Sequence, residues 1–233
     1  MIRFEGVSKR YLTRTALDAV DLELHPYQVI GVVGENGSGK STMLKLITGL
    51  ARPTSGQVHV DGEPVTRRIA SKVAYLSELE TFYPFHTVEE TVQFHASQFP
   101  DFDRARAREI MAFMGLDPDA KVKNLSKGNR GRVKLMVTLA RNAPYILMDE
   151  PLSGLDPMVR DSIIKGLISF VDLEKQTVVI TTHEVNEIEP LLDTVVAIRQ
   201  GHLLKVEDVD TLRGETGLSL AEWMTQTYAG NES

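Results

Sequence analysis

The strongest constraint on the fold comes from residues 34–42, which read GENGSGKST and fit the pattern G-x-x-x-x-G-K-[ST]. The preceding stretch, Val29–Val33, is short, apolar and β-branched, as expected of a central strand in a parallel sheet. Residues 41–50 have the apolar spacing of a helix. A strand, a glycine-rich loop and a helix in this order predict a phosphate-binding loop in an α/β fold.

The chemistry of this phosphate loop predicts nucleotide binding. Glycines let the backbone approach a polyphosphate, and the loop N–H groups meet it at a helix N-terminus, where the macrodipole favours negative charge. We expect Lys40 to place its charge on the β- and γ-phosphates and the Ser41 hydroxyl to suit Mg²⁺, which takes oxygen ligands. The predicted nucleotide-binding residues of the loop are Gly34, Glu35, Asn36, Gly37, Ser38, Gly39, Lys40, Ser41 and Thr42.

Length and composition argue against several other classes of protein. The 233 residues suffice for one large domain or a domain with a subdomain, and the formal net charge of −6 argues against nucleic acid as the main partner. The sequence has no cysteine, which excludes disulfides and thiolate metal sites and fits the cytosol. It has no apolar run near the ~20 residues that span a bilayer and no signal-peptide core at its start. We therefore expect a soluble cytosolic protein or the soluble part of something larger.

The order of patterns along the chain predicts one α/β domain with two additions. Apolar and polar residues alternate near the start, which predicts an antiparallel β layer beside the phosphate loop. A stretch with helical periodicity and a capping box interrupts the core and predicts a helical insertion. The predicted boundaries are 1–76 and 143–210 for the core with its β layer, 77–142 for the helical insertion, and 211–233 for a C-terminal helix and tail, the last few residues loose.

Polar residues follow three predicted strands at the points where those strands end. They are Glu78, the pair Asp149 and Glu150, and His183. Because ligands of a parallel sheet bind at the carboxyl ends of its strands, we expect these side chains to converge on the phosphates. Asp149 would hold Mg²⁺, directly or through water, and Glu150 would activate a water in line with the γ-phosphate. His183 would contact the γ-phosphate, although a purely structural role is an equal alternative for a lone strand-end histidine.

A phosphate loop alone is shared by kinases, GTPases, helicases and transport ATPases, but further motifs resemble those of ATP-binding-cassette (ABC) ATPases. Residues 125–129, LSKGN, resemble the family signature and precede the strand that ends at Asp149. Residues 153–157, SGLDP, resemble the family's dimer loop, and 181–184, TTHE, resemble its switch-histidine segment. The motifs occur in the family's order along nearly the whole chain.

This resemblance implies a head-to-tail dimer of two copies, or of this chain and a homologous subunit, with ATP and Mg²⁺ between them. The signature of one subunit would close over ATP held by the other, with Asp156 in the dimer loop and Tyr11 stacked on adenine. The Ser126 hydroxyl and the Gly128 N–H are able to donate to a γ-phosphate. The signature residues implied to act in trans are Ser126, Lys127, Gly128 and Asn129, and the implied metal-site residues are Ser41, Glu78 and Asp149.

Two features depart from the family pattern. Glu78 occupies the position of a Mg²⁺-contacting glutamine and adds negative charge near the triphosphate. Lys127 and Asn129 replace a glycine and a glutamine of the signature, and Lys127 would point either to solvent or toward the partner's nucleotide. Neither change removes the predicted hydrogen-bond donors of the signature, so we expect activity.

The resemblance implies an ATP-hydrolysing subunit that powers a separate permease from the cytoplasmic face of the cell membrane. The motif variants and the short C-terminal segment resemble single-cassette bacterial exporters of drugs, peptides or lipids, so we expect export. An ATPase of iron–sulfur cluster assembly is the alternative, whereas a non-hydrolysing regulator is disfavoured by Glu150 and His183. Residues 78–100 include an aromatic loop implied to contact the permease, although Phe82 and Phe85 would equally serve as core anchors.

Overall fold

The computed structural model describes residues 1–79 and 82–229. Its strands are β1 Ile2–Tyr11, β2 Arg14–Leu24, β3 Val29–Val33, β4 Ser55–Val60, β5 Glu63–Pro64, β6 Val73–Leu76, β7 Tyr145–Asp149, β8 Thr177–Thr182, β9 Thr194–Arg199 and β10 His202–Asp208. Its α-helices are α1 Lys40–Ile47, α2 Val88–Gln98, α3 Arg104–Phe113, α4 Lys127–Leu139, α5 Pro157–Phe170, α6 Val209–Thr216 and α7 Leu220–Ala229. Single 3₁₀ turns are found at Arg67–Ser71, Val122–Asn124, Val185–Glu187 and Glu189–Leu191.

The central sheet has six strands in the order β10-β9-β3-β8-β7-β6. Its pairs are parallel except for the antiparallel pair of β9 and β10. The register places Val33 opposite Thr182 and Asp149 opposite Thr181, so β3, β7 and β8 end at the same edge. This mixed sheet confirms the predicted phosphate-loop α/β core, and its shared edge positions the candidate site.

The two faces of the central sheet are covered by different layers. Ile30 and Val32 of β3 face a core formed with α1 and the antiparallel sheet β2-β1-β4-β5. Val33 faces the other core, which is completed by α5 and by the helices of the insertion. The alternation of neighbouring side chains between two cores explains why these strands are apolar without a polar face.

The predicted helical insertion contains α2, α3 and α4. Thr87 and Glu90 form the expected capping box of α2, in which each residue's side chain accepts a hydrogen bond from the other's backbone N–H. None of the helices within residues 1–79 and 82–229 has the length and apolar character needed to cross a membrane.

The C-terminal segment, predicted as one helix, is instead two. Gly217 ends α6 in a left-handed conformation with φ of 68°, and a separate helix begins after Ser219. The side chains of Ser219 and Glu222 cap this second helix. The predicted loose tail at 230–233, and Glu80 and Thr81 of the predicted permease-contacting segment, lie outside the described residues.

Candidate functional site

The phosphate loop joins the end of β3 to the start of α1. Two of its glycines adopt left-handed backbone conformations, with φ of 82° at Gly37 and 117° at Gly39. The buried Lys40 side chain folds back over the loop, and its Nζ donates to the carbonyl of Gly34 at 2.7 Å and of Glu35 at 3.1 Å. The loop therefore holds the Lys40 ammonium at the N-terminus of α1, an arrangement that suits the binding of an anion.

Asp149, the last residue of β7, is buried and accepts hydrogen bonds from three hydroxyl groups. Its Oδ1 accepts from Ser41 Oγ at 2.8 Å and from Thr181 Oγ1 at 2.9 Å, and its Oδ2 accepts from the Tyr75 hydroxyl at 3.1 Å. Burial first, and then the nearby Asp149 carboxylate, raise the pKa of Tyr75 well above its usual value. Tyr75 therefore stays protonated, and its hydroxyl acts as the donor that helps to fix the Asp149 side chain.

The side chains around Asp149 fit a magnesium ion bound together with a nucleotide. The Ser41 hydroxyl and the Asp149 carboxylate are hard oxygen ligands and already lie in contact. Glu78 is exposed and, like Ser41, lines a cavity above the phosphate loop, and Lys134 Nζ donates to the Glu78 carbonyl at 2.8 Å. Within the described residues, no cluster of three His, Cys, Asp or Glu side chains forms a metal cage. Such a sparse ligand set suits Mg²⁺, which keeps water and phosphate oxygens in its coordination shell.

Glu150 links the phosphate loop to the end of β8. Its Oε1 lies 3.1 Å from Lys40 Nζ as an ion pair, and its Oε2 lies 2.8 Å from Nδ1 of His183. Its backbone N–H donates to Thr181 Oγ1 at 3.0 Å, and its φ of 48° is unusual for a residue with a side chain. Strained conformations of this kind persist where surrounding contacts enforce them, often at functional sites.

A cavity of about 490 Å³ opens above the phosphate loop. The predicted site residues that line it are Tyr11, Asn36, Gly37, Gly39, Lys40, Ser41, Thr42, Glu78, Glu150 and His183. Glu35 and Ser38 face a second cavity behind the loop, and Gly34 is buried beneath it. One chain thus assembles most of the predicted nucleotide and catalytic residues around a single space.

Two side chains on the rim of this cavity are Tyr11, which the sequence analysis predicted, and Arg14, which it missed. Tyr11 is exposed at the end of β1, and Lys9 Nζ lies 4.8 Å from its ring centroid. Arg14, at the start of β2, donates from its guanidinium to the Gly37 carbonyl at 2.8 Å. It places a second cation beside the phosphate loop, but a single arginine in a hairpin belongs to no motif.

The signature residues lie apart from the cavity over their own phosphate loop. Ser126 caps α4, because its side-chain oxygen accepts a hydrogen bond from the Asn129 N–H at 3.2 Å. Gly128 is buried, and a Cβ there would lie 2.7 Å from the Val159 side chain. The small residue therefore serves the packing of α4 on α5 within this chain.

The dimer loop, residues 153–157, packs beside the signature. The Lys127 ammonium lies next to Gly154 of the same chain, although the residue as a whole is exposed. Asp156 caps α5 by accepting a hydrogen bond from the Val159 N–H at 3.0 Å, ahead of Pro157. Both motifs thus lie at the N-termini of neighbouring helices.

A family model described as ABC transporter matches residues 17–153. The chain belongs to the ABC transporter family. The matched segment runs from the β layer to the dimer loop, so it includes the phosphate loop, the signature and the Asp149–Glu150 pair. The resemblance inferred from the motifs is confirmed.

Curated relatives in this ABC family include proteins named for import and for export. The chain is 36% identical over 204 residues to the aliphatic sulfonates import ATP-binding protein SsuB of Zymomonas mobilis, covering 87% of this chain and 83% of that one. It is 32% identical over 208 residues to the Nod factor export ATP-binding protein I of Paraburkholderia xenovorans, covering 86% and 68%. It is 30% identical to the glycine betaine/carnitine/choline transport ATP-binding protein OpuCA of Bacillus subtilis, covering 91% of this chain but spanning only 59% of that longer relative.

A solved ABC cassette has the same fold. That structure, a dimer in a post-hydrolysis state bound to ADP and Pi, is 26% identical and superposes with a TM-score of 0.80. The match covers 90% of this chain and 99% of the cassette.

Proposed function

We propose that this chain is the ATP-hydrolysing subunit of an ABC transporter, acting on Mg²⁺-ATP between two subunits and powering a separate permease. One observation carries the proposal: a single carboxylate, Glu150, contacts both Lys40 of the phosphate loop and His183 at the end of β8. All three line the cavity above the loop. A carboxylate able to act as a base, a cation able to bind phosphate and a strand-end histidine around one space suit phosphoanhydride hydrolysis.

Nucleotide binding would redistribute the contacts of Lys40. The triphosphate oxygens replace Glu150 on the ammonium, and Glu150 then accepts the proton of a water in line with the γ-phosphate. His183, 2.8 Å from the other carboxylate oxygen, holds Glu150 at this edge of the sheet. Bound Mg²⁺ would neutralise phosphate charge, with Ser41, Asp149 and Glu78 holding it directly or through water.

A second subunit would supply the signature. Ser126 and Asn129 do not line the cavity over their own phosphate loop, so within one described chain the γ-phosphate lacks these donors. The dimeric solved cassette bound to ADP and Pi supports an assembly in which a partner provides them. The partner is a second copy of this chain or a homologous ATPase subunit, with Asp156 at the interface.

Phosphate release from Mg²⁺-ATP by the purified chain tests the proposal. We expect steady turnover that stops on addition of a Mg²⁺ chelator. A chain that binds ATP but releases no phosphate above a heat-inactivated sample would instead indicate a non-hydrolysing regulator. The Glu78→Gln variant is measured in the same assay. Glutamine keeps a side-chain oxygen at this position, so the variant should retain turnover if Glu78 assists Mg²⁺ through that oxygen.

Replacing Tyr11 with alanine should weaken ATP binding by ~1–3 kcal/mol, the scale of base–aromatic stacking. The ring is exposed at the rim of the cavity, so its removal should leave the fold intact. Isothermal titration with ATP measures the change, and Tyr11→Phe, which keeps the ring, serves as the matched control. Equal affinity of the alanine variant and the parent would remove Tyr11 from the adenine site.

The groove between α1, β6 and the helical insertion is the proposed permease site. It has a volume of about 300 Å³, and its lining includes Phe82, His95 and Phe99 from the predicted segment 78–100. Phe82 packs on the core, whereas Phe85, which belongs to the same aromatic loop but does not line the groove, is 65% exposed. Of the two roles considered for the aromatic loop, we therefore assign core anchoring to Phe82 and propose permease contact for Phe85.

Replacing Phe85 with alanine should reduce retention of a polytopic membrane protein by about tenfold, as for an aromatic interface anchor. Detergent extracts of the membranes of the source cells, with the captured permease identified by mass, provide the measurement. Phe113→Ala is the matched control, because Phe113 is exposed to 47% on α3. Equal loss of retention in both variants would mean that exposed aromatic rings bind the membrane protein non-specifically, and would contradict a specific role of Phe85.

Export of drugs, peptides or lipids stays a prediction, because the relatives are named for both import and export. The same holds for the iron–sulfur alternative, which no contact of the site favours. The proposed permease would place the chain at the cytoplasmic face of the cell membrane. Retention of an integral membrane protein by the native chain separates transport from the soluble alternative.

A further inference from the structure

We propose that Arg160 is a positioning residue for ATP hydrolysis, because it ties the dimer loop to the segment that carries His183. The proposal rests on the proposed ATPase function and deepens it. Arg160 lies in the first turns of α5, four residues after Asp156, and it is not among the residues lining the cavity over the phosphate loop. Any effect on hydrolysis must therefore pass through its neighbours.

One side of the Arg160 guanidinium is fixed to the dimer loop. Its Nε donates to the Leu155 carbonyl at 2.8 Å, and its backbone N–H donates to the Asp156 carbonyl at 3.0 Å. Leu155 is buried and Asp156 caps the helix, so this part of the loop has little freedom of its own. A displacement of the loop therefore moves Arg160 with it.

The other side of the guanidinium is fixed to the segment after β8. Its Nη1 lies 3.3 Å from Glu184 Oε2 and also pairs with Glu187 Oε1. Glu187 lies in the short 3₁₀ turn Val185–Glu187, which the buried Val185 anchors in the core. Arg160 thus joins two separate elements through one planar group.

The contacts continue from Glu184 into the candidate site. Glu184 Oε1 lies 3.6 Å from His183 Nε2, and His183 Nδ1 lies 2.8 Å from Glu150 Oε2. Glu150 Oε1 is the oxygen that pairs with Lys40. Polar groups therefore approach one another from the dimer-loop carbonyl to the phosphate-loop lysine, and the longest step, 3.6 Å between Glu184 and His183, exceeds hydrogen-bond distance.

Arginine suits this position because its planar fork serves several acceptors at once, whereas lysine is a single point charge. Without the guanidinium, Glu184 and Glu187 lose the cation they share. His183, which lies between Glu184 and Glu150, would then be drawn toward Glu184 and would hold Glu150 less firmly. In the proposed dimer the same tie lets contact at the dimer loop set the position of His183.

The test separates ATP binding from turnover. We expect Arg160→Ala to bind ATP with a Kd within twofold of the parent and to lower kcat about 3- to 30-fold, the range for residues that modulate coupling. Arg160→Lys should recover part of the loss, because it restores one charge without the fork. A role confined to stability would instead shift the melting temperature and leave the kcat of folded protein unchanged.

A second variant covers the case in which Arg160→Ala folds poorly. Glu184→Gln alters a side chain that is 42% exposed, so it should fold like the parent, and it should also lower kcat. If Arg160 acts through Glu184, the kcat of the double variant should lie within about twofold of the kcat of Arg160→Ala alone. Fold-losses of kcat that multiply in the double variant, or a parent kcat in either single variant, would contradict the proposed link from the dimer loop to His183 through Arg160 and Glu184.

Arg213→Ala provides the matched control. Arg213 pairs with Glu189 at 3.0 Å in a neighbouring surface contact and lies outside the series that reaches His183. It should leave both Kd and kcat at parent values. A parent chain without phosphate release would overturn the proposed function and this inference together, whereas an active parent with an unaffected Arg160→Ala variant would overturn the inference alone.

Discussion

Glu150→Gln is expected to bind ATP about as well as the parent protein and to hydrolyse it about 10²- to 10⁴-fold more slowly, the range for loss of a general base. The amide has nearly the same size as the carboxylate, so the cavity should keep its shape. It is not able to take a proton from water at neutral pH. The change also removes the ion pair with Lys40, which leaves the ammonium available to the triphosphate.

Two measurements check this variant. Single-turnover phosphate release isolates the chemical step, and solution scattering in saturating Mg²⁺-ATP reports the assembly, which should become a stable dimer because its closed state is not hydrolysed. Glu174→Gln, an exposed carboxylate outside the site, is the control. Parent-like turnover would remove Glu150 from the proposed chemistry, and a monomer in saturating ATP would contradict the two-subunit site.

Lys40→Ala should weaken binding of ATP by about 2–5 kcal/mol, the cost of truncating one member of a buried, hydrogen-bonded charge pair. This corresponds to roughly a 30- to 5,000-fold rise in Kd. Lys40 is 4% exposed and its ammonium contacts both loop carbonyls and Glu150, so removal leaves the Glu150 charge uncompensated as well. The variant should therefore lose affinity for ADP too, with a larger loss for the triphosphate.

Titration of each variant with ATP and ADP provides the comparison. Lys45→Ala is the matched control, because Lys45 lies farther along the same helix and does not line the cavity over the loop. It should bind both nucleotides like the parent. Equal ATP affinity for Lys40→Ala and Lys45→Ala would contradict the role of Lys40. A scan of thermal unfolding without nucleotide shows whether either variant has lost its fold.

The sequence alone could predict the core and the residues at its strand ends. Val29–Val33 and the glycines after it are local signals, and the strand-loop-helix order determines what they form. That Asp149, Glu150 and His183 would meet then follows from a topological rule, since parallel strands end at one edge. The structure places Glu150 and His183 in contact at 2.8 Å.

Contacts made by single side chains could not be predicted in the same way. Tyr75 looks like an ordinary strand residue, and its bond to Asp149 depends on the register of β6 beside β7. Arg14 and Arg160 carry no pattern, because each acts through a carbonyl or carboxylate far away in the sequence. The break between α6 and α7 at Gly217 was accessible in principle, since glycine is the residue typical of a helix end.

Whether the chain serves import or export could not be predicted either, for a different reason. A relative named for import and a relative named for export match 87% and 86% of this chain, respectively. Residues that bind and hydrolyse nucleotide face the same chemical task in both cases. Nothing in Lys40, Glu150 or His183 distinguishes the two directions, so identification of the proposed permease is the observation that decides.

Under the proposed function, the pairing of Lys40 with Glu150 makes nucleotide binding an exchange of one anion for another on the lysine. Two nearly enclosed charges compensate each other at rest, and the incoming phosphate must displace one of them to reach the other. Binding of one phosphate group would thereby occupy Lys40 and release Glu150, so the proposed general base would be free only when a phosphate is present for water to attack.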